Sequence, residues 1–255
     1  MLKIGLQLYT LREELEQDFE GTLRKVAALG YSGVEFYHFF GRSSADIKQL
    51  LDETGLVALG AHRPYDALLN ETEQEIAYNL EIGNKRLVIP YLTEEQRNYP
   101  EVAENLKLIG QKCKAHGVVL LYHNHDFELI ERFGELTAFD GLFAEVPAEL
   151  LQVEMDTCWV HHAGYDAIAY VNKYAGRLPV IHLKDMKKQA DGSAETVVLG
   201  EGEVDLAGIV EAAAEAGTEW AVVEQDYCRR PALDSIADSM EWLRTYANQG
   251  GKVHV

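Results

Sequence analysis

A chain of 255 residues with 42 acidic and 23 basic side chains carries a formal charge of -19. That balance favours solubility and argues against nucleic acid or an anionic membrane surface as a partner. Three scattered cysteines, Cys113, Cys158 and Cys228, suit a reducing cytoplasm rather than a disulfide framework. No apolar run is long enough to span a membrane, and the first residues lack the apolar segment of a signal peptide. A cytoplasmic protein with one domain over residues 1–255 is expected.

In chain order the sequence repeats a strand-helix unit. Lys3 to Leu8 reads as a short apolar strand, and Asp18 to Leu29 has helical spacing and stops at Gly30. Gly33 to Phe36 is a second strand, and Ser44 caps a helix from Ala45 to Thr54. Leu56 to Ala61 is the third strand and exits at His62. A helix from Glu71 to Ile82 leads to the fourth strand, Arg86 to Ile89. Val102 to Ala115 is helical up to Gly117, and Val118 to Leu121 begins the fifth strand. Phe133 to Phe143 is read as a helix. Leu151 to Met155 is the sixth strand and exits at Asp156. Tyr165 to Tyr174 is helical, Pro179 to Leu183 is the seventh strand, and Lys187 to Glu203 is a polar insertion. The helix Leu206 to Ala216, the strand Trp220 to Val223 and the helix Ala232 to Tyr246 complete the series, leaving a short tail. Eight units recurring at roughly 30 residues predict a (β/α)8 TIM barrel. A doubly wound sheet would usually carry a glycine-rich loop after its first strand, and Gln7 to Arg12 contains no glycine.

In such a barrel the chemistry gathers at the C-terminal ends of the strands. Those ends carry Gln7 and Tyr9, Glu35 and Tyr37, His62 and Arg63, then His123, His125 and Glu128. Beyond them come Glu154 and Asp156, His182, Lys184 and Asp185, and Glu224 and Asp226. The richest stretch is Tyr122-His123-Asn124-His125-Asp126-Phe127-Glu128. Alternation along a strand points His123 and His125 to one face and Asn124 to the other, a pattern suited to a metal or acid/base site. Asp156, His182 and Glu224, from three consecutive strands, offer oxygen and imidazole donors for one divalent ion such as Mn²⁺, Mg²⁺, Co²⁺ or Zn²⁺. The competing reading is a buried ion-pair network tying strands together.

Several single residues have two readings. His62 either binds substrate hydroxyls or has no role, and Trp159 either stacks on a sugar face or packs. Lys184 either holds an oxyanion or phosphate or pairs with Glu154 or Asp156, and Arg12 and Arg63 are candidate phosphate binders. Without a glycine-rich phosphate cradle, a non-phosphorylated substrate is favoured. His161 and His162 are adjacent, diverge on any regular element, and belong to the rim.

The sequence resembles the xylose isomerase-like TIM barrels, the sugar phosphate isomerase/epimerase group. The resemblance rests on Gly5-Leu6-Gln7-Leu8-Tyr9-Thr10-Leu11-Arg12, Gly30-Tyr31-Ser32-Gly33-Val34-Glu35 and Tyr122 to Glu128. It continues through Asp156-Thr157-Cys158-Trp159, His182-Leu183-Lys184-Asp185 and Gly200-Glu201-Gly202-Glu203-Val204-Asp205. It implies one metal held by strands five to eight, with Asp156, His182 and Glu224 at three of the positions. Keto-sugar epimerases of this group place a glutamate on strand five. Here His123 stands there, as in the inosose dehydratase branch, and it is the expected fourth ligand, with Glu128 the alternative.

The implied chemistry is removal of a proton next to a carbonyl, with Glu224, His125 and Glu128 as candidate catalytic groups and Gln7, His62, Trp159 and Lys184 as substrate-binding ones. The expected protein is a metal-dependent isomerase or epimerase of a keto-sugar or polyol. The alternative is an inosose dehydratase-like or keto-glycoside-eliminating lyase. A non-catalytic sugar-binding relative and an abasic-site nuclease rank below these, and a homo-oligomer is possible.

Overall fold

The computed structural model describes residues 1–255. Eight parallel strands run in chain order around a closed barrel: Leu2–Gln7, Gly33–Phe36, Val57–His62, Arg86–Ile89, Val119–His123, Gln152–Asp156, Val180–Leu183 and Trp220–Val223. The eighth pairs back onto the first, Val223 beside Leu6. This is the (β/α)8 barrel that the periodicity predicted. No helix is long and apolar enough to cross a membrane.

The strands form because each is a short apolar run with inward and outward faces that are both buried. Leu59, Val88, Leu121, Val180, Trp220 and Val222 fill the barrel interior. Leu121, Val180 and Val222 each stand two residues before a polar group at a strand exit, namely His123, His182 and Glu224. The period of two that builds the apolar plug therefore also aims those groups into the mouth. Gly60 matters for the same reason. A β-carbon there would collide with Glu35, so its absence lets a carboxylate lie across the third strand.

Local chemistry corrects several expected boundaries. The helix Ser44–Thr54 is capped by Ser43, whose hydroxyl accepts the Asp46 N–H at 3.2 Å, while Ser44 donates to Glu81 at 2.7 Å. The helix expected over Phe133 to Phe143 is a tight hairpin, Arg132–Phe133 with Leu136–Thr137, followed by a helix Ala138–Glu145. Gly134, at φ 65°, supplies the left-handed turn. The polar insertion is also a hairpin, Asp185–Lys188 with Ala194–Val197. Asp185 anchors the loop behind it by accepting the N–H groups of Gly200, Gly202 and Val204 at 2.9, 2.8 and 3.1 Å. The C-terminal tail is not loose, because Val253–His254 pairs beside Leu2 and Lys3.

Candidate metal centre

The stretch Tyr122 to Glu128 divides cleanly by face. Tyr122 and Asn124 turn outward, whereas His123 and His125 turn into the mouth. Asn124 pairs with the main chain of Asp156 on the next strand, accepting its N–H at 3.0 Å and donating to its C=O at 3.2 Å. The fifth and sixth strand exits are thereby locked in register.

Glu128 is buried behind the strand, where its carboxylate accepts the Tyr122 hydroxyl and the His125 main-chain N–H, both at 2.8 Å. The sequence offers Glu128 as a ligand or base; the one-turn helix Phe127–Ile130 places its carboxylate behind the strand, on Tyr122 and the His125 N–H. Burial raises its carboxyl to about 7.

The donor atoms of His123, Asp156, His182 and Glu224 all lie within 4.8 Å of one another. Asp156 ends its strand and caps the following helix, Thr157–His162. Its Oδ1 accepts the N–H groups of Cys158 and Trp159 at 3.0 and 3.1 Å, which leaves Oδ2 facing the cluster. Glu224 Oε2 lies 2.8 Å from His182 Nδ1, and His123 Nε2 lies 3.8 Å from Asp156 Oδ2. Lys184 is fully buried, with its ammonium 2.8 Å from Asp156, 2.9 Å from Glu224 and 2.9 Å from Asp226. The salt-bridge reading of Lys184 is thus the one its geometry shows.

The set has the chemistry of a divalent-cation site. Two imidazoles and two carboxylates converge from four adjacent strands, and Asp156 Oδ2 accepts no aligned hydrogen bond although it is buried. Burial holds the His123 imidazole well below its ordinary range, in the neutral form that ligates a metal. Burial likewise raises the Asp156 carboxyl despite the Lys184 ammonium beside it. Burial would lower the His182 pKa, but Glu154 and Glu224 raise it well above its ordinary range, so a bound metal would take the place of a proton there. With that exchange the residues present fit a metal.

A second polar tier lies beneath. Glu35 and Glu154 are completely buried. His62 Nε2 lies 2.7 Å from Glu154 and 3.2 Å from Glu35, and His182 Nε2 lies 2.7 Å from Glu35. Burial would lower the His62 pKa, but the two carboxylates raise it to about 9. Burial would raise the Glu35 carboxyl, but His62 and His182 hold it ionised. Gln7 joins this tier instead of the substrate space: its amide donates to Glu35 at 2.9 Å and accepts the Tyr9 N–H at 3.1 Å. The sequence places Glu35 and Glu154 at strand ends and offers Glu154 only as a partner for Lys184, which pairs instead with Asp156, Glu224 and Asp226. The signal for Glu154 was its place two residues before Asp156, on the same inward face.

Above the cluster opens a cavity of about 630 Å³. His62, His123, His125, Trp159 and Glu224 reach it, and Tyr9, Tyr37, Tyr91 and Tyr227 form its aromatic wall. His125 sits 5.2 Å from the Tyr91 ring and 5.9 Å from Trp159, and its Nδ1 is buried with no partner. Burial, with the Lys184 charge, lowers its pKa to about 4. Arg63 forms a two-pronged pair with Glu75 at 2.7 and 2.6 Å and is not available to a phosphate. His161 and His162 lie on the rim, near Glu203 and Asp126.

Residues 23–246 match the sequence pattern of the family described as xylose isomerase-like TIM barrel. The inosose dehydratase of Clostridium tetani is 22 % identical over 275 aligned positions, covering 91 % of this chain and 91 % of that protein. That of Clostridium beijerinckii is 25 % identical over 202 positions, covering 68 % of this chain and 65 % of that protein, so this chain spans just under two thirds of its length. A sugar phosphate isomerase/epimerase from Parabacteroides distasonis has the same fold. It superposes with a TM-score of 0.81 at 22 % identity, covering 95 % of this chain and 93 % of that one.

Proposed function

We propose that this chain, which belongs to the xylose isomerase-like TIM barrel family, is a divalent-metal-dependent lyase acting on a keto-polyol or keto-sugar. In this reading His123, Asp156, His182 and Glu224 hold the metal, which when bound polarises the substrate carbonyl and stabilises charge building on its oxygen. His125 is a neutral imidazole with an unpaired buried nitrogen on the cavity wall. It removes the proton from the carbon next to the carbonyl. The electron pair of that C–H bond forms a C=C bond, and the C–O bond at the neighbouring carbon breaks. The departing oxygen takes the proton back from His125, so the products are an unsaturated ketone and water or an alcohol. Trp159 and the tyrosines supply faces for the carbon skeleton, and Lys184 balances the carboxylates of Asp156 and Glu224.

The observation that carries this reading is the withdrawal of Glu128 behind its strand. Proton transfer to both faces of a carbon, as epimerisation requires, is best served by two opposed bases. With Glu128 gone, the mouth retains His125 and the ligand Glu224. Two of its relatives are inosose dehydratases by name, a name that denotes loss of water from such a substrate. The isomerase or epimerase reading shares the first proton removal and draws its support from Glu224, whose carboxylate reaches the cavity as a second base.

One experiment separates them. The chain loaded with Mn²⁺ or Co²⁺ is incubated with an inosose and with keto-hexoses in D₂O. An enone absorbance and loss of water support elimination. Deuterium entering a saturated sugar with a changed configuration supports epimerisation, and no exchange with any substrate refutes both.

A further inference from the structure

We infer that Glu154 and Glu35 are positioning residues that decide which ring nitrogen each metal-facing histidine presents: Nε2 for His123 and Nδ1 for His182. The inference rests on the reading of His123, Asp156, His182 and Glu224 as a metal centre, and extends it to residues that do not touch the ion.

Three imidazole nitrogens surround a single oxygen. Glu154 Oε1 lies 2.7 Å from His62 Nε2, 3.1 Å from His182 Nε2 and 3.2 Å from His123 Nδ1. Glu35 Oε2 receives His182 Nε2 at 2.7 Å, the Gln7 amide at 2.9 Å and His62 Nε2 at 3.2 Å. The floor oxygens Glu154 Oε1 and Glu35 Oε2 act as acceptors, so each nitrogen facing them carries a hydrogen. Glu224 Oε2, 2.8 Å from His182 Nδ1, favours a second hydrogen on that ring, which a metal held by Glu224 would displace. His123 is therefore protonated on Nδ1 and His182 on Nε2. The nitrogens left over are His123 Nε2, toward Asp156, and His182 Nδ1, toward Glu224. The two rings use opposite nitrogens because they meet the same floor from opposite sides. Glu154 pairs with His123 on one neighbouring strand and with Val180, two residues before His182, on the other.

Each carboxylate is itself fixed. Glu35 lies across Gly60 and is held by Gln7. His62 bridges both carboxylates and stacks on His182 at 5.5 Å with the rings 8° apart. A carboxylate behind a ligating imidazole fixes its tautomer and raises its basicity, and loss of such a partner costs about 10- to 100-fold in metal affinity. The competing assignment is a second cation among His62, His123, Glu154 and His182, whose donor atoms also cluster. Against it, His123 and His182 belong to both clusters and would each have to bind two ions, one through each ring nitrogen.

The test uses zinc alone, with the full chain. Calorimetric titration of the parent, Glu154→Gln and Glu35→Gln proteins gives stoichiometry and affinity, and long-range ¹H–¹⁵N spectra of the zinc-loaded parent report each ring's protonated nitrogen. The expected result is one zinc per chain in all three, bound about 10- to 100-fold more weakly by the variants. In the parent, hydrogen sits on His123 Nδ1 and His182 Nε2. Unchanged affinity in folded variants, or the opposite nitrogens in the parent spectra, overturns the inference while leaving the metal centre intact. Two zinc ions in the parent, one lost in Glu154→Gln, overturns it in favour of the second cation. No zinc in the parent sinks the metal centre and the inference with it. The parent spectra decide the tautomers even if a variant fails to fold.

Discussion

The Glu128 carboxylate accepts the His125 main-chain N–H at 2.8 Å, so the acid that closes the histidine motif holds the loop and leaves the mouth to the imidazole. A charge buried in that position has a pH signature. Its carboxyl titrates at about 7 in the fold, against an ordinary 4.5. Between those values the folded chain binds more protons than the unfolded one, so stability falls as pH rises. The contribution is complete below pH 4.5 and lost as pH passes through about 7. A shift of this size corresponds to about 3 kcal/mol. Urea unfolding from pH 4.5 to 8 is expected to show that much less loss of stability in Glu128→Gln than in the parent chain, and equal pH slopes would remove Glu128 as the cause.

His125→Gln keeps a polar side chain on the cavity wall but cannot take the proton. Turnover on the substrate found in the D₂O screen is expected to fall by about 10²- to 10⁴-fold, with one metal per chain retained by elemental analysis. Loss of the metal in this variant would instead make His125 a ligand.

Metal content itself tests the cluster. Asp156→Asn and Glu224→Gln each replace an anionic donor with a neutral amide. Both are expected to purify with less than a tenth of the parent's metal, whereas Glu128→Gln retains the full amount. Full occupancy in Asp156→Asn would place the ion elsewhere.

Lys184 tests the charge balance around Asp156, Glu224 and Asp226. Removing a buried ammonium from three carboxylates leaves them uncompensated, and Lys184→Met is expected to lose about 3–5 kcal/mol of stability. Excess Mn²⁺ should restore part of it, because binding to the folded state alone adds about 2.7 kcal/mol at a hundredfold excess over Kd. Thermal melts with and without the ion read both effects, and a melt that the ion leaves unmoved would separate Lys184 from the metal centre.

Asn124 tests the frame. Asn124→Ala removes two hydrogen bonds to the Asp156 main chain and takes the side-chain acceptor from its buried N–H. It is expected to cost about 1–3 kcal/mol by urea unfolding. A cost near zero would mean that strand pairing alone holds the two exits together.

The barrel was legible along the chain because its strands and helices are set by local periodicity and by glycines that stop them. Strand exits read at Phe36, Ile89 and Val223 are the observed ends, since an apolar run bounded by polar residues has few other ways to bury itself. The alternation of His123 and His125 with Asn124 was equally local. The cluster of Asp156, His182 and Glu224 was readable once the strands were counted, because a parallel barrel sends every strand end to one mouth. Tertiary structure alone decided which carboxylates point there. Glu128 was lost to Tyr122 and the His125 N–H, contacts set by one turn of helix that no spacing rule marks. Glu35 and Glu154, 119 positions apart in the chain, meet around His62 and His182 only when the barrel closes. Whether a buried acid becomes a ligand, a floor or a clamp depends on which donors reach it, and that is fixed by packing rather than by its neighbours in sequence.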